Sequence, residues 1–184
     1  MSRILSVLAV LALLALPALA EDPARVEVFG GFQYFRANSG VPDVDNFNLN
    51  GWNASLSGYF NRFLGVTADF GGVYGSPEVL GVPIHTKVHT FMFGPVVRLS
   101  NPTHITPFVH ALGGASHTSG DVEGLSGGET DAAWAVGGGL DLDMGRVLSI
   151  RPVQVDFLQT RTDRGGQSVH QNNFRYSGGI VIKF

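Results

Sequence analysis

The sequence contains no cysteine, and its only lysines are Lys87 and Lys183. The first absence excludes disulfides, thiolate nucleophiles, thiolate metal centres and lipoprotein processing at a cysteine. The second belongs to a wider shortage. Charged residues make up 15% of the chain, against roughly 25% in ordinary soluble domains, and a soluble surface normally needs more charge than this. Also missing, beyond the N-terminal segment, is any run of about eighteen apolar residues, so no segment reads as a membrane-spanning helix. The net charge of −3 argues against a nucleic-acid partner, which requires a basic face. No glycine-rich phosphate loop, pair of catalytic carboxylates or cofactor motif stands out.

What the chain does have begins with Met1-Ser2-Arg3, followed by Ile4 to Leu16, a run that is apolar except for Ser6. Pro17 then precedes Ala18-Leu19-Ala20, a small-x-small cleavage site. Residues 1–20 therefore read as a secretory signal peptide and residues 21–184 as one domain. Loss of Arg3 with the leader leaves 11 basic and 15 acidic residues, a formal charge of −4.

The domain reads as strands of period two. Trp52, Ala54, Leu56, Gly58 and Phe60 alternate with Asn53, Ser55, Ser57, Tyr59 and Asn61. At the end of the chain Phe174, Tyr176, Gly178, Ile180, Ile182 and Phe184 alternate with Asn173, Arg175, Ser177, Gly179, Val181 and Lys183. About a dozen alternating residues suit a tilted bilayer-crossing strand. Eight such segments start near residues 25, 52, 64, 88, 105, 131, 147 and 173. The segment 147–161 changes phase: Ser149 and Arg151 are odd, Gln154 and Asp156 even, so a β-bulge is expected near Pro152. Long connections at 37–49, 75–87, 118–129 and 162–171 alternate with short turns at 61–63, 101–104 and 144–146. This is the wiring of an all-β, eight-stranded, antiparallel up-and-down transmembrane barrel, with short periplasmic turns and longer outer loops.

Ser177, Gly179, Ile182 and terminal Phe184 resemble the C-terminal assembly signal of bacterial outer-membrane barrels. Val28-Phe29-Gly30-Gly31-Phe32, the stretch Gly65-Val66-Thr67-Ala68-Asp69-Phe70 and Gly137-Gly138-Gly139-Leu140-Asp141 extend the likeness. Across 21–184 the chain resembles the small OmpA/OmpX-type outer membrane protein beta-barrel domain family. That resemblance implies residence in the bacterial outer membrane with both termini periplasmic. It also implies contact with outer-membrane lipid and lipopolysaccharide, and recognition of the last strand by the barrel-assembly machinery. The peptidoglycan-binding domain of full-length OmpA proteins has no counterpart here, so cell-wall anchoring is not implied.

With apolar faces toward lipid, the lumen receives Glu27, Asp69, Arg98, His110, Asp141, Asp156 and Arg175. Eight strands leave a lumen that side chains can fill, so the expectation is a paired, hydrogen-bonded plug. A proton- or ion-conducting path along the same residues is the competing use. Metal binding is not expected: His85 and His89 are four apart on a strand, about 13 Å at 3.3 Å per residue. Asp43, Asp45, Asn46 and Asn48 miss the spacing of a calcium loop. One enzymatic pattern exists, His117-Thr118-Ser119 with Glu129 or Asp131, resembling the histidine–serine pair of lipid A deacylase barrels. A soluble lipocalin-like barrel with its apolar faces inward is the alternative from another class. The expected function is a non-enzymatic, cofactor-free outer-membrane barrel with a structural or surface-interaction role.

Overall fold

The computed structural model describes residues 25–37, 47–75, 78–79, 82–83, 85–99, 103–122, 125–164 and 167–184. The strands are β1 (Arg25–Ala37), β2 (Phe47–Tyr59), β3 (Leu64–Gly75), β4 (Glu78–Val79), β5 (Val82–Pro83), β6 (His85–Arg98), β7 (Ile105–Val122), β8 (Leu125–Asp143), β9 (Leu148–Arg164) and β10 (Gln167–Lys183). Eight of them close a barrel in the order β1-β10-β9-β8-β7-β6-β3-β2, and β4 with β5 forms a small separate ribbon between β3 and β6. Every neighbouring pair is antiparallel.

The seam between the first and last strands runs from Glu27↔Lys183 to Arg36↔Phe174. The Phe184 amide extends it by donating to the Val26 carbonyl at 2.8 Å. Backbones approach closely here: a Cβ on Gly31 would lie 2.2 Å from the Gly178 carbonyl oxygen, and one on Gly179 would lie 2.2 Å from that of Gly30. Only glycine tolerates these positions.

Alternation sorts the two faces. Leu56, Phe93, Val109, Val136 and Ile180 are more than half exposed on the outside, whereas Asp69, Asp156 and Arg175 are buried within. Phe29, the ambiguous residue of the first strand, points inward and is buried. A soluble ligand-binding barrel needs the reverse arrangement.

The phase change in β9 is a bulge. Against β10, Ser177 pairs with Gln154 and Gly179 with Arg151; against β8, Leu140 pairs with Val153 and Leu142 with Ile150. The extra residue lies in Arg151–Pro152–Val153, so Arg151 and Gln154 both face the lumen and are buried. The Tyr176 hydroxyl donates to the Pro152 carbonyl at 2.7 Å, satisfying an acceptor there. Pro95 interrupts the β6–β7 ladder, which resumes in register at Val96↔His110.

Two connections differ from the compositional reading. Residues 118–129 and 162–171 are largely strand: β7 and β8 stay paired to Val122↔Leu125, and β9 and β10 to Gln167↔Arg164. Glycine, serine and threonine hid this, because they mark neither face while their backbones still form a ladder. β2 likewise begins at Phe47, inside the segment read as the first loop. The leader at 1–20, Asp43, Asp45, Asn46 and the Asn101–Pro102 turn lie outside the described residues.

The facing makes a direct prediction. Arginine in place of Leu56 or Val136 puts a charge on the lipid face, which near mid-bilayer costs about 2–4 kcal/mol. Urea-dependent folding into vesicles should show that loss for both variants, and unchanged midpoints would contradict the assignment.

Candidate functional site

Period two sends one side chain in two into the interior of an eight-stranded barrel, just wide enough for side chains to fill, where a buried unpaired charge is costly. Arg175, on β10, is fully buried there. Its Nη1 lies 2.6 Å from Asp69 Oδ1 on β3, and its Nε 2.7 Å from Asp156 Oδ2 on β9. Asn53 of β2 donates from Nδ2 to Asp69 Oδ2 at 3.0 Å and to the Phe70 carbonyl at 2.9 Å. Asp156 also receives Gln154 Nε2 at 3.0 Å and meets His110 Nε2 of β7 at 2.6 Å. An ionised carboxylate only accepts, so Nε2 of His110 carries a proton. One arginine and two aspartates thus tie five strands across the lumen.

Nearer the short turns are two further buried pairs. Arg98 is salt-bridged to Glu27. It also donates from Nε to the Arg62 carbonyl at 3.2 Å, with its guanidinium carbon 3.7 Å from the centre of the Tyr59 ring. Arg151 grips Asp141 with two bonds of 2.7 and 3.0 Å. Its guanidinium carbon lies 4.6 Å from the Phe29 ring centre and 4.1 Å from that of Phe108. Arg151 Nη1 also donates to Gln154 Oε1 at 2.9 Å, linking this pair to the Asp156 cluster. At the rim Asp143 accepts from Lys183, from Ser149 Oγ at 2.7 Å and from Thr106 Oγ1 at 3.2 Å. The residue list drawn from sequence omitted Arg151, Asn53, Gln154 and the Asp143–Lys183 pair. Arg151 and Gln154 could have been found by following both sides of the phase change inward.

The half of the lumen remote from the short turns is different. Phe35, Leu49, Val73, Val88, Met92, Leu112, Ala135 and Leu158 form one buried apolar cluster. They come from β1, β2, β3, β6, β7, β8 and β9, and β10 contributes buried Asn173 opposite Leu158. Reading only the polar members of the inward faces missed this layer.

The remaining candidates are more scattered. His117 Nδ1 is 2.8 Å from Thr130 Oγ1. Glu129 and Asp131 occupy the alternate positions of β8, in register with Thr118 and Ser116, on the face that continues to inward Ala133 and Ala135. Neither acid therefore shares a face with His117 and Ser119. His89 Nε2 is 3.3 Å from the Tyr74 hydroxyl. His104 and Asn48 are exposed, while the side chains of His85 and His170 lie outside the described residues. Among the described residues no three His, Asp or Glu side chains converge as a metal site. In the C-terminal strand, Ser177 is buried in the lumen and Gly179 packs on the β1 backbone. Ile182 and Phe184 are exposed outside.

A family model described as outer membrane protein beta-barrel domain matches residues 6–179. Neisserial surface protein A (NspA) is similar in structure, with a TM-score of 0.69 at 12% identity over 89% of this chain and 100% of that one. The attachment invasion locus protein Ail of Yersinia pestis gives 0.59 at 16% identity over 88% and 99%. OprG from Pseudomonas aeruginosa gives 0.56 at 10% identity over 90% and 98%. At these identities the likeness concerns the fold. No curated protein matches the sequence.

Arg175 is the node on which the central cluster turns. Replacing it with alanine leaves Asp69 and Asp156 facing each other without their shared cation, a change that costs about 3–5 kcal/mol in buried pairs. The urea midpoint of folding should fall accordingly. A Ser57→Ala variant, which removes one neutral bond to Thr67 Oγ1 at 2.9 Å, should shift it by only about 1 kcal/mol.

Proposed function

The chain belongs to the outer membrane protein beta-barrel domain family, and on that premise we propose a non-enzymatic integral protein with a structural or surface-contact role and a plugged lumen. One observation carries this reading. The inward charges are matched across strands, Arg175 with Asp69 and Asp156, Arg151 with Asp141, and Arg98 with Glu27. Such pairs fill and fix a narrow interior, and they leave the outward surface and the hairpin ends as the places where partners can be met.

In this reading residues 1–20 are a signal peptide removed after Ala20. Both termini and the short turns face the periplasm, and the barrel-assembly machinery engages the last strand through Ser177, Gly179, Ile182 and Phe184. The exposed outward cations Arg36, Lys87 and Arg161 lie toward the strand ends remote from the short turns. There they suit the phosphates of lipopolysaccharide. Ail has been crystallised with the heparin analogue sucrose octasulfate, which supports the idea that the outer end of such a barrel takes extracellular ligands. The opposed faces of His117 and the two acids favour the non-enzymatic reading over lipid A hydrolysis.

Three measurements test the proposal together. Protein folded in detergent should migrate faster unboiled than boiled, and in planar bilayers it should give no stable ion conductance. Cells carrying Ser119→Ala should show an unchanged lipid A acyl pattern by mass spectrometry. Steady single-channel steps would overturn the plugged lumen, and an altered acyl pattern would overturn the non-enzymatic assignment.

A further inference from the structure

Resting on the plugged-lumen reading, we propose that the apolar layer in the outer half of the lumen is the seal that bars water, protons and ions. The ion-pair network beneath it locks the strands but is not itself the barrier.

The two halves of the lumen differ in what they offer a water molecule. Among the described residues five buried side-chain atoms have no hydrogen-bond partner: Gln33 Oε1, Asn53 Oδ1, Arg175 Nη2 and Ser177 Oγ lie in the polar half, and Thr90 Oγ1 lies on β6 between Val88 and Met92 of the apolar layer. They include a donor on Arg175 and acceptors on Gln33 and Asn53, the mixture that holds water between side chains. A cavity of about 10 Å³ lined by Ser55, Ser57, Thr67, Asp69, His110 and Gln154 adds space close to the minimum for one water. This half has hydrogen-bonding capacity to spare, so protons could pass along it.

Above it that capacity falls to two buried polar side chains, Thr90 between Val88 and Met92 on β6 and Asn173 opposite Leu158 on β10. Leu49, Met92, Ala135 and Leu158 are fully buried, and Phe35 and Leu112 are 4% exposed. On β9 the step from Asp156 to Thr160 passes Leu158 and covers about 13 Å at 3.3 Å per residue. On β7 the step from His110 to Ser116 passes Leu112, and on β8 the step from Asp141 to Asp131 passes Ala135 and Ala133. None of the eight residues of the layer can titrate, donate or accept through its side chain. A close-packed apolar constriction stays dry, and a dry gap stops both ions and proton relays.

Proton flux into vesicles carrying an internal pH dye separates the two halves. The full chain, and Asp156→Asn in the network, should both be as tight as empty vesicles. Leu112→Ser with Leu158→Ser should leak at least about tenfold faster, as a wetted constriction conducts. The inference is overturned if the double variant stays tight or if Asp156→Asn leaks as well. A leak through the unmodified protein would instead remove the plugged-lumen reading itself. Heat-modifiable mobility checks that each variant has folded.

Should the double variant not fold, thiol accessibility decides the question, since the chain has no cysteine of its own. Ser177→Cys places a thiol below the layer, at a hydroxyl with no partner to lose. Gly127→Cys places one at an exposed position with open space around it. A small charged thiosulfonate added to intact cells should label the buried site at least about a hundredfold more slowly than the exposed one, as expected for a site reached only by local opening. Equal rates would overturn the seal.

Discussion

Closure is the constraint on which the rest of the structure depends. Lipid offers no hydrogen bonds, so each unpaired backbone group there costs several kcal/mol, and a sheet with free edges cannot cross a bilayer. The seam from Glu27↔Lys183 to Arg36↔Phe174 removes both edges at once. Gly31 and Gly179 pair across the seam, where the backbones come too close for a Cβ on either. Once the ladder is continuous, alternation decides everything else: one residue in two faces lipid, and the others share a lumen only eight strands wide.

The two faces then specify the structure to different degrees. Lipid accepts almost any apolar residue, so Phe93, Val109 and Ile180 carry little positional information. The lumen is stricter. Arg175 must reach Asp69 on one strand and Asp156 on another, and both bonds are shorter than 2.8 Å. A one-residue slip of any of the three strands would turn its member of the cluster toward lipid. Replacing such ion pairs with apolar residues is often neutral for stability. What the charges supply is selection of one register among several that lipid would tolerate equally.

Much of this was legible in the sequence because period two is a strong signal wherever polar and apolar residues are segregated. The strand number and the order of connections follow from the eight alternating segments, and the lipid-facing side from the terminal Phe184 pattern together with the shortage of lysine. Legibility failed where side chains are small or both faces are alike. Glycine and serine between Thr118 and Glu129 concealed a paired hairpin, since the ladder there is made by backbone alone. The apolar layer was hidden for the opposite reason: Leu112 and Leu158 sit among apolar neighbours, so alternation does not single them out. The central cluster was readable as a set of inward charges, but its pairing was not. Asp69 and Arg175 are 106 residues apart, and only barrel closure brings them together.

The bulge at Pro152 shows how one irregularity can serve both solvents. In an unbroken β9, Arg151 and Gln154 would lie on opposite faces, and one of them would meet lipid. An arginine there costs up to about 2–4 kcal/mol by depth. The extra residue turns both inward, and Gln154 then accepts from Arg151 while donating to Asp156. Two clusters that would otherwise be separate become one network, from Asp141 through Arg151, Gln154 and Asp156 to Arg175 and Asp69. Proline suits the site because a bulge already leaves one residue outside the ladder, where a missing N–H forfeits no bond. On the outside, Tyr176 satisfies the Pro152 carbonyl, so the irregularity that joins the lumen network leaves this acceptor paired on the lipid side.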